Sequence, residues 1–199
     1  MSHEPNSSAR ILGAALALFS EKGYDATSTR EICELAGITK PTLYYFYESK
    51  EGIYRALLKD TLSEFSSIVE DALNSRPDLR GRLYRMTELF FERSTENPQR
   101  GRFVFSLFWS PNSPFAVEIH SMYASAVKRI ADAAEEAVTA GEIRPGNLEA
   151  RMLVLMGSVG EAVSNFLVVG NPKLTRELAD SIVDTVLDGW QPARTGTEA

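Results

Sequence analysis

Apolar residues recur at intervals of three and four along most of the chain, and glycine or proline falls where each run stops. No stretch of β-branched residues alternates between hairpin turns, so the spacing predicts an all-α protein. A first helix is expected from about Ser8 to Lys22, with Ile11, Leu12, Ala15, Leu18 and Phe19 as its apolar stripe and Gly23 as its end. In TSTREICELAG, Ser28 and Glu31 have the spacing of a capping box, in which each side chain satisfies a helix-start amide. Ile32, Leu35 and Ala36 then mark the inner face of a short second helix that Gly37 stops. A third helix begins near Lys40-Pro41, where proline costs nothing because first-turn amides have no helical partner. A fourth runs from about Ser49 to Ser75 on Ile53, Leu57, Leu58, Leu62, Phe65, Ile68, Val69 and Leu73. Breaks at RPDLRG, ENPQRG, SPNSP, AGEIRPGN and GNP predict about five more helices, for about nine in all. Residues 1–7 and 192–199 are expected to be disordered.

Charge and cysteine content narrow the functional classes. The formal charge is −6, which by itself opposes a phosphate-rich partner. The distribution softens this: residues 1–60 hold seven Lys/Arg against eight Asp/Glu, net −1, and the remainder carries −5. The single cysteine, Cys33, excludes an intrachain disulfide framework and suits a reducing compartment, as a small half-buried helix residue. The polar start MSHEPNSSAR is unlike a secretory signal, and the most apolar run, LVLMGSVGEAVSNFLVVG, is interrupted by Glu161 and Asn165. A soluble, cytoplasmic protein with no membrane partner is expected. Two histidines and one cysteine form no metal-ligand pattern, and there is no Gly-rich phosphate loop, nucleophile elbow or HExxH, so neither an enzyme nor a metal or cofactor is expected.

Two short helices joined by a glycine turn, with a third helix before them, describe a helix-turn-helix whose second short helix reads DNA. If Leu43 points inward, Phe46 and Tyr47 share its face at i+3 and i+4. Tyr44 and Tyr45 then turn away by roughly 100 and 200 degrees, toward the side of Lys40, Pro41 and Thr42. Phenols, hydroxyls and a lysine at a helix start suit phosphates and base edges.

At these residues the chain resembles the TetR family of one-component transcriptional regulators. The resemblance rests on Lys22-Gly23-Tyr24, Thr27-Ser28-Thr29, Ala36-Gly37-Ile38 and TKPTLYYFYESKEGI, which is close to the family signature SKGTLYYHFKSKEEL, and it covers about residues 8–58. It implies that Thr39, Lys40, Pro41, Thr42 and Tyr44 contact DNA, that Tyr45 and Lys50 bind phosphate, and that Thr29 adds a backbone contact. Pro41, Phe46 and Glu48 depart from the pattern: Phe46 removes a polar contact and Glu48 adds a repulsive charge.

The resemblance further implies a helix-turn-helix domain at 1–50 and a larger ligand-binding and dimerisation domain at 51–191. The ring-rich region 100–125 supplies candidate effector contacts in Phe103, Phe105, Phe108, Trp109, His120 and Tyr123, with Phe90 and Phe166 from neighbouring segments. Such rings equally build a core that binds nothing. Helices at about Leu148–Val169, with Gly157 and Gly160, and Leu174–Trp190, with Leu178, Ile182, Val186 and Trp190, match the pair that dimerises in the family, although an intrachain role fits the same stripes. The expected function is a homodimeric, ligand-responsive repressor that holds a pseudo-palindromic DNA operator and is released by a largely apolar small-molecule effector. The competing reading is a helical ligand-binding or scaffold protein with a non-functional helix-turn-helix. Mutation separates the two ring pairs. Phe46→Ala and Tyr47→Ala should lower the melting temperature, whereas Tyr44→Ala and Tyr45→Ala should leave it in place and weaken DNA binding; the opposite pattern would reverse the assignment of faces.

Overall fold

The computed structural model describes residues 6–108 and 114–188, and among these it contains nine helices and no strand. They are α1 (Asn6–Lys22), α2 (Thr29–Ala36), α3 (Lys40–Tyr47), α4 (Lys50–Leu73), α5 (Leu79–Glu96), α6 (Pro98–Phe108), α7 (Ala116–Thr139), α8 (Leu148–Val169) and α9 (Arg176–Asp188). Contacts divide the chain into two compact units, residues 1–66 with 96–124 and residues 67–95 with 125–199. The division expected at residue 50 differs from this one for a packing reason. Helix α1 lies against α6 as well as α2 and α3. Phe103 and Leu107 of α6, with Phe115 and Ile119, complete the same core as Ile11, Phe19, Ile32, Leu43, Tyr54 and Leu57.

In the first unit the short helices are fixed at both ends. Ser28 is the N-cap of α2: its hydroxyl accepts from the Glu31 amide at 3.2 Å, and its own amide donates to Glu31 Oε2 at 2.9 Å. Lys22, at the end of α1, pairs with the other oxygen of Glu31 and ties the capping box to the preceding helix. Gly37 closes α2 in the left-handed region at φ 61°, which only glycine adopts cheaply. Leu35, expected on the inner face of α2, is exposed instead. The buried side is Ile32, Cys33 and Ala36, whose centre is rotated away from position 35.

The second unit is drawn together by polar clamps around an apolar interior. Arg80 near the start of α5 grips Asp184 and Asp188 of α9, the latter at 2.6 Å, and the Tyr84 hydroxyl donates to Asp184 at 2.5 Å. The Asp188 side chain is thereby held below the usual carboxylate range, chiefly by its hydrogen bond from Arg80. Glu142 accepts from the Leu79 amide at 2.9 Å, capping α5 from the loop after α7.

Helix α8 buries Met152, Leu155, Val159, Ala162 and Leu167 and packs against α9. On α9 the seam is Ala179 and Val183, while Leu178, Ile182 and Val186 are only half-buried. The expected stripe is therefore offset by one position, and Trp190 lies outside the described residues. A second expectation also changes: by length and composition alone α8 is apolar enough to cross a bilayer, because Glu161 and Asn165 interrupt it without making it polar on average.

The Glu31 carboxyl is lowered from 4.5 to about 2, first by the Lys22 hydrogen bond and then by those from Ser28. A depressed folded-state value gives stability that is fully present above the unfolded value and is lost as pH falls through the folded one. Glu31→Gln should therefore melt below the parent chain at neutral pH, with the gap closing between pH 4.5 and about 2. A gap that thermal unfolding finds independent of pH would rule out this role for Glu31.

Candidate nucleic-acid interface

Helix α3 is positioned by one buried side chain and one cap. Leu43 is 0% exposed in the core of the first unit. Phe46 and Tyr47 are half-buried against that core, and the Tyr47 hydroxyl hydrogen-bonds Ser8 Oγ at 2.7 Å, fastening α3 to the start of α1. Tyr44 and Tyr45 are 45% and 67% exposed, so the four consecutive rings divide into an inner and an outer pair. Tyr45 stands edge-on to Phe46, their centroids 5.1 Å apart, which stiffens an exposed ring through a half-buried one.

At the start of α3, Thr39 is the N-cap and its hydroxyl accepts from the Thr42 amide at 3.4 Å. The two threonine hydroxyls are 2.9 Å apart and hydrogen-bonded to each other. Lys40 and Pro41 are exposed, and no ion pair engages Lys40 among the described residues. Thr29 opens α2 directly after its cap. The outer end of α3 thus offers hydroxyls, phenols and one ammonium, all of which can donate to phosphate or base oxygens.

Lys50 stands apart from this group. Its ammonium donates to the carbonyls of Tyr24 and Thr27, each at 2.9 Å, and lies 4.2 Å from the centre of the Tyr24 ring. Sequence reading missed this grip, because partners 23 and 26 residues away carry no local signal. Helical spacing likewise gave no sign of Arg10, whose Nη2 donates to the Gly37 carbonyl at 3.0 Å and steadies the turn between α2 and α3.

The candidate effector contacts fall in both units. In the first, Phe103 is wholly buried and stands edge-on to Tyr54 at 5.6 Å, so it is part of the core. Phe105 is half-buried, His120 is exposed, and Tyr123 is half-buried with its ring 5.1 Å from Phe65. Burial raises the Tyr123 phenol above its ordinary value. Phe108 ends α6, and Trp109 lies outside the described residues. Phe90 and Phe166 are half-buried in the second unit. One further group has no sequence signal: the Thr61 hydroxyl on α4 is buried without a hydrogen-bond partner among the described residues, a costly state that a water or a ligand acceptor relieves.

Residues 11–57 match the family described as bacterial regulatory proteins, tetR family. The HTH-type transcriptional activator FasR of Mycolicibacterium smegmatis is 35% identical over 96 residues, which are 48% of this chain and 44% of that protein. The negative transcriptional regulator IcaR of the biofilm operon icaADBC in Staphylococcus aureus is 24% identical over 181 residues, 91% of this chain and 80% of that one. In fold, the chain is similar to the transcriptional regulator FadR from Bacillus subtilis, solved in complex with stearoyl-CoA, with a TM-score of 0.81 at 18% identity, covering 92% of this chain and 99% of that one. The chain spans less than half the length of the curated relatives that match its amino-terminal part, 44%, 30% and 32% of three of them. Residues 11–57, which hold the helix-turn-helix, are thus similar to the amino-terminal domain of the tetR family of bacterial regulatory proteins.

Proposed function

We propose that the chain is a cytoplasmic, homodimeric transcriptional repressor that holds a pseudo-palindromic operator and releases it when a small molecule binds. The observation that carries this reading is the exposure of α3 around buried Leu43: Thr39, Lys40, Pro41, Tyr44 and Tyr45 are exposed and Thr42 is half-buried. In this reading α3 enters the major groove, and Tyr45 and Thr29 meet the sugar-phosphate backbone on its rim. Anisotropy titration of the DNA upstream of the chain's own gene, against a mixed-sequence duplex at the same salt, tests it. Specific binding that Tyr44→Ala weakens by about tenfold to a hundredfold, the cost of one good base contact, is the expected result. Equal affinity for the two duplexes would remove the operator from the proposal.

The outer face of α8 supports the homodimer. Leu153 is 68% exposed and Val168 77% exposed, and Val154 and Gly157 lie on the same side, within about 120 degrees at 3.6 residues per turn. A side chain at Gly157 would meet nothing within 4 Å in the single chain, which leaves room for a second backbone to approach. A contiguous apolar stripe of this kind needs a cover. A second copy suits it better than lipid, because exposed Glu161 sits in the stripe and a charge is costly in hydrocarbon. Two-fold pairing also supplies the second reading head that a palindrome requires.

The effector is a largely apolar small molecule, and α4, which contributes residues to both units, carries its signal to the head. The complex of Bacillus subtilis FadR with stearoyl-CoA supports a fatty-acyl group as the first class to try. Such a ligand must bind the DNA-incompetent state more tightly to release the operator. Leu153→Glu with Val168→Glu should convert a dimer into a folded monomer by sedimentation and abolish specific DNA binding. A variant that sediments as a dimer would place the interface elsewhere.

A further inference from the structure

On the DNA-binding reading above, we propose that Lys50 is a positioning residue, which sets the angle of the reading head through Tyr24 and Thr27, and not a phosphate ligand. A lysine ammonium has three donors, and two of these are used on the Tyr24 and Thr27 carbonyls at 2.9 Å. The face of the Tyr24 ring, 4.2 Å from the nitrogen, closes a third side. As the first residue of α4, Lys50 also lies at the positive pole of its own helix, where a cation is disfavoured unless oxygen atoms receive it. The two carbonyls just beyond the end of α1 do so.

What the ammonium holds is the entrance to α2. Thr27 is buried, its hydroxyl donates to the Gly23 carbonyl at 2.8 Å, and its amide donates to the Tyr24 carbonyl at 3.2 Å. That turn runs directly into Ser28, the cap of α2. At its other end Lys50 stands three residues after Tyr47, the last residue of α3. The grip therefore joins the start of α2 to the end of α3, bypassing the turn that connects them in sequence. Tyr24 cannot swing away to release it, since its ring is packed by Tyr54 at 4.8 Å, Phe115 at 5.3 Å and Phe19 at 5.8 Å.

The test is the salt dependence of DNA binding by the full chain, with the upstream duplex and a mixed-sequence duplex as probes. Loss of a phosphate contact lowers the log-log salt slope by about one unit, whereas loss of a positioning contact weakens binding at every salt concentration and leaves the slope unchanged. Lys50→Met is expected to weaken binding by about tenfold or more, the worth of a charge-assisted hydrogen bond, with a parental slope. Tyr24→Leu keeps the lysine charge and both carbonyls but removes the ring face, so it is expected to weaken binding less than Lys50→Met, also at a parental slope. A slope reduced by one unit in Lys50→Met, or a folded Lys50→Met that binds as tightly as the parent chain, overturns the proposal. Should Lys50→Met fail to fold, Lys50→Arg decides. A guanidinium serves phosphate well but does not fit an ammonium site bounded by two carbonyls and a ring, so weaker binding at an unchanged slope supports positioning and parental affinity refutes it. A parent chain that binds neither duplex at low salt removes the DNA-binding reading itself, and is told apart from failure of the Lys50 proposal alone by the wild-type titration.

Discussion

The head depends on one constraint: helices of eight residues do not persist alone. Isolated helices shorter than about 12–15 residues are marginal in water, and α2 and α3 have eight residues each. They exist because Ile32 and Leu43 are buried against Ile11, Phe19 and Ile53, and because Ser28 and Thr39 cap them. Burial of Leu43 also fixes the rotation of α3 about its axis. With that angle set, no freedom remains in which rings face out, and the outward chemistry of Tyr44 and Tyr45 follows from the inward chemistry of a single leucine.

Local signals in the sequence carried the head a long way. The capping box, the glycine stop at Gly37, the proline at the start of α3 and the division of the four rings are all spelled within a few residues, and each stands in the structure as spelled. The failures share a different character. Leu35 and the α9 stripe were misplaced because period alone does not fix where the centre of a buried face falls; Cys33 on α2, and Ala179 with Val183 on α9, turned that centre by a position. The Lys50 grip and the entry of Phe103 and Phe115 into the head's core depend on partners far along the chain. No window of sequence contains both halves of such a contact.

The weak charge of the head shapes how it could read DNA. With a net −1 over residues 1–60 and no basic run, long-range attraction to a polyanion contributes little. On the proposed DNA-binding role, discrimination would then rest on fit: hydroxyls and phenols on a helix whose rotation is set by packing. The Thr39 and Thr42 hydroxyls already bond each other, so contact with a base exchanges one hydrogen bond for another with a modest net gain. A head of this composition favours accuracy over grip, and rigidity is what it can least do without.

The ring cluster that surrounds Tyr24 has a consequence for optical work. The chain has two tryptophans, Trp109 and Trp190, both outside the described residues, while Phe19, Tyr24, Tyr54, Phe103 and Phe115 stack edge to face in the first unit. Tyr24 and Tyr54, with centroids 4.8 Å apart at 65°, are close enough and skewed enough for their electronic transitions to couple. Their near-ultraviolet dichroism is thus a built-in, label-free gauge of whether the head is assembled, in a wavelength band distinct from that of the indoles.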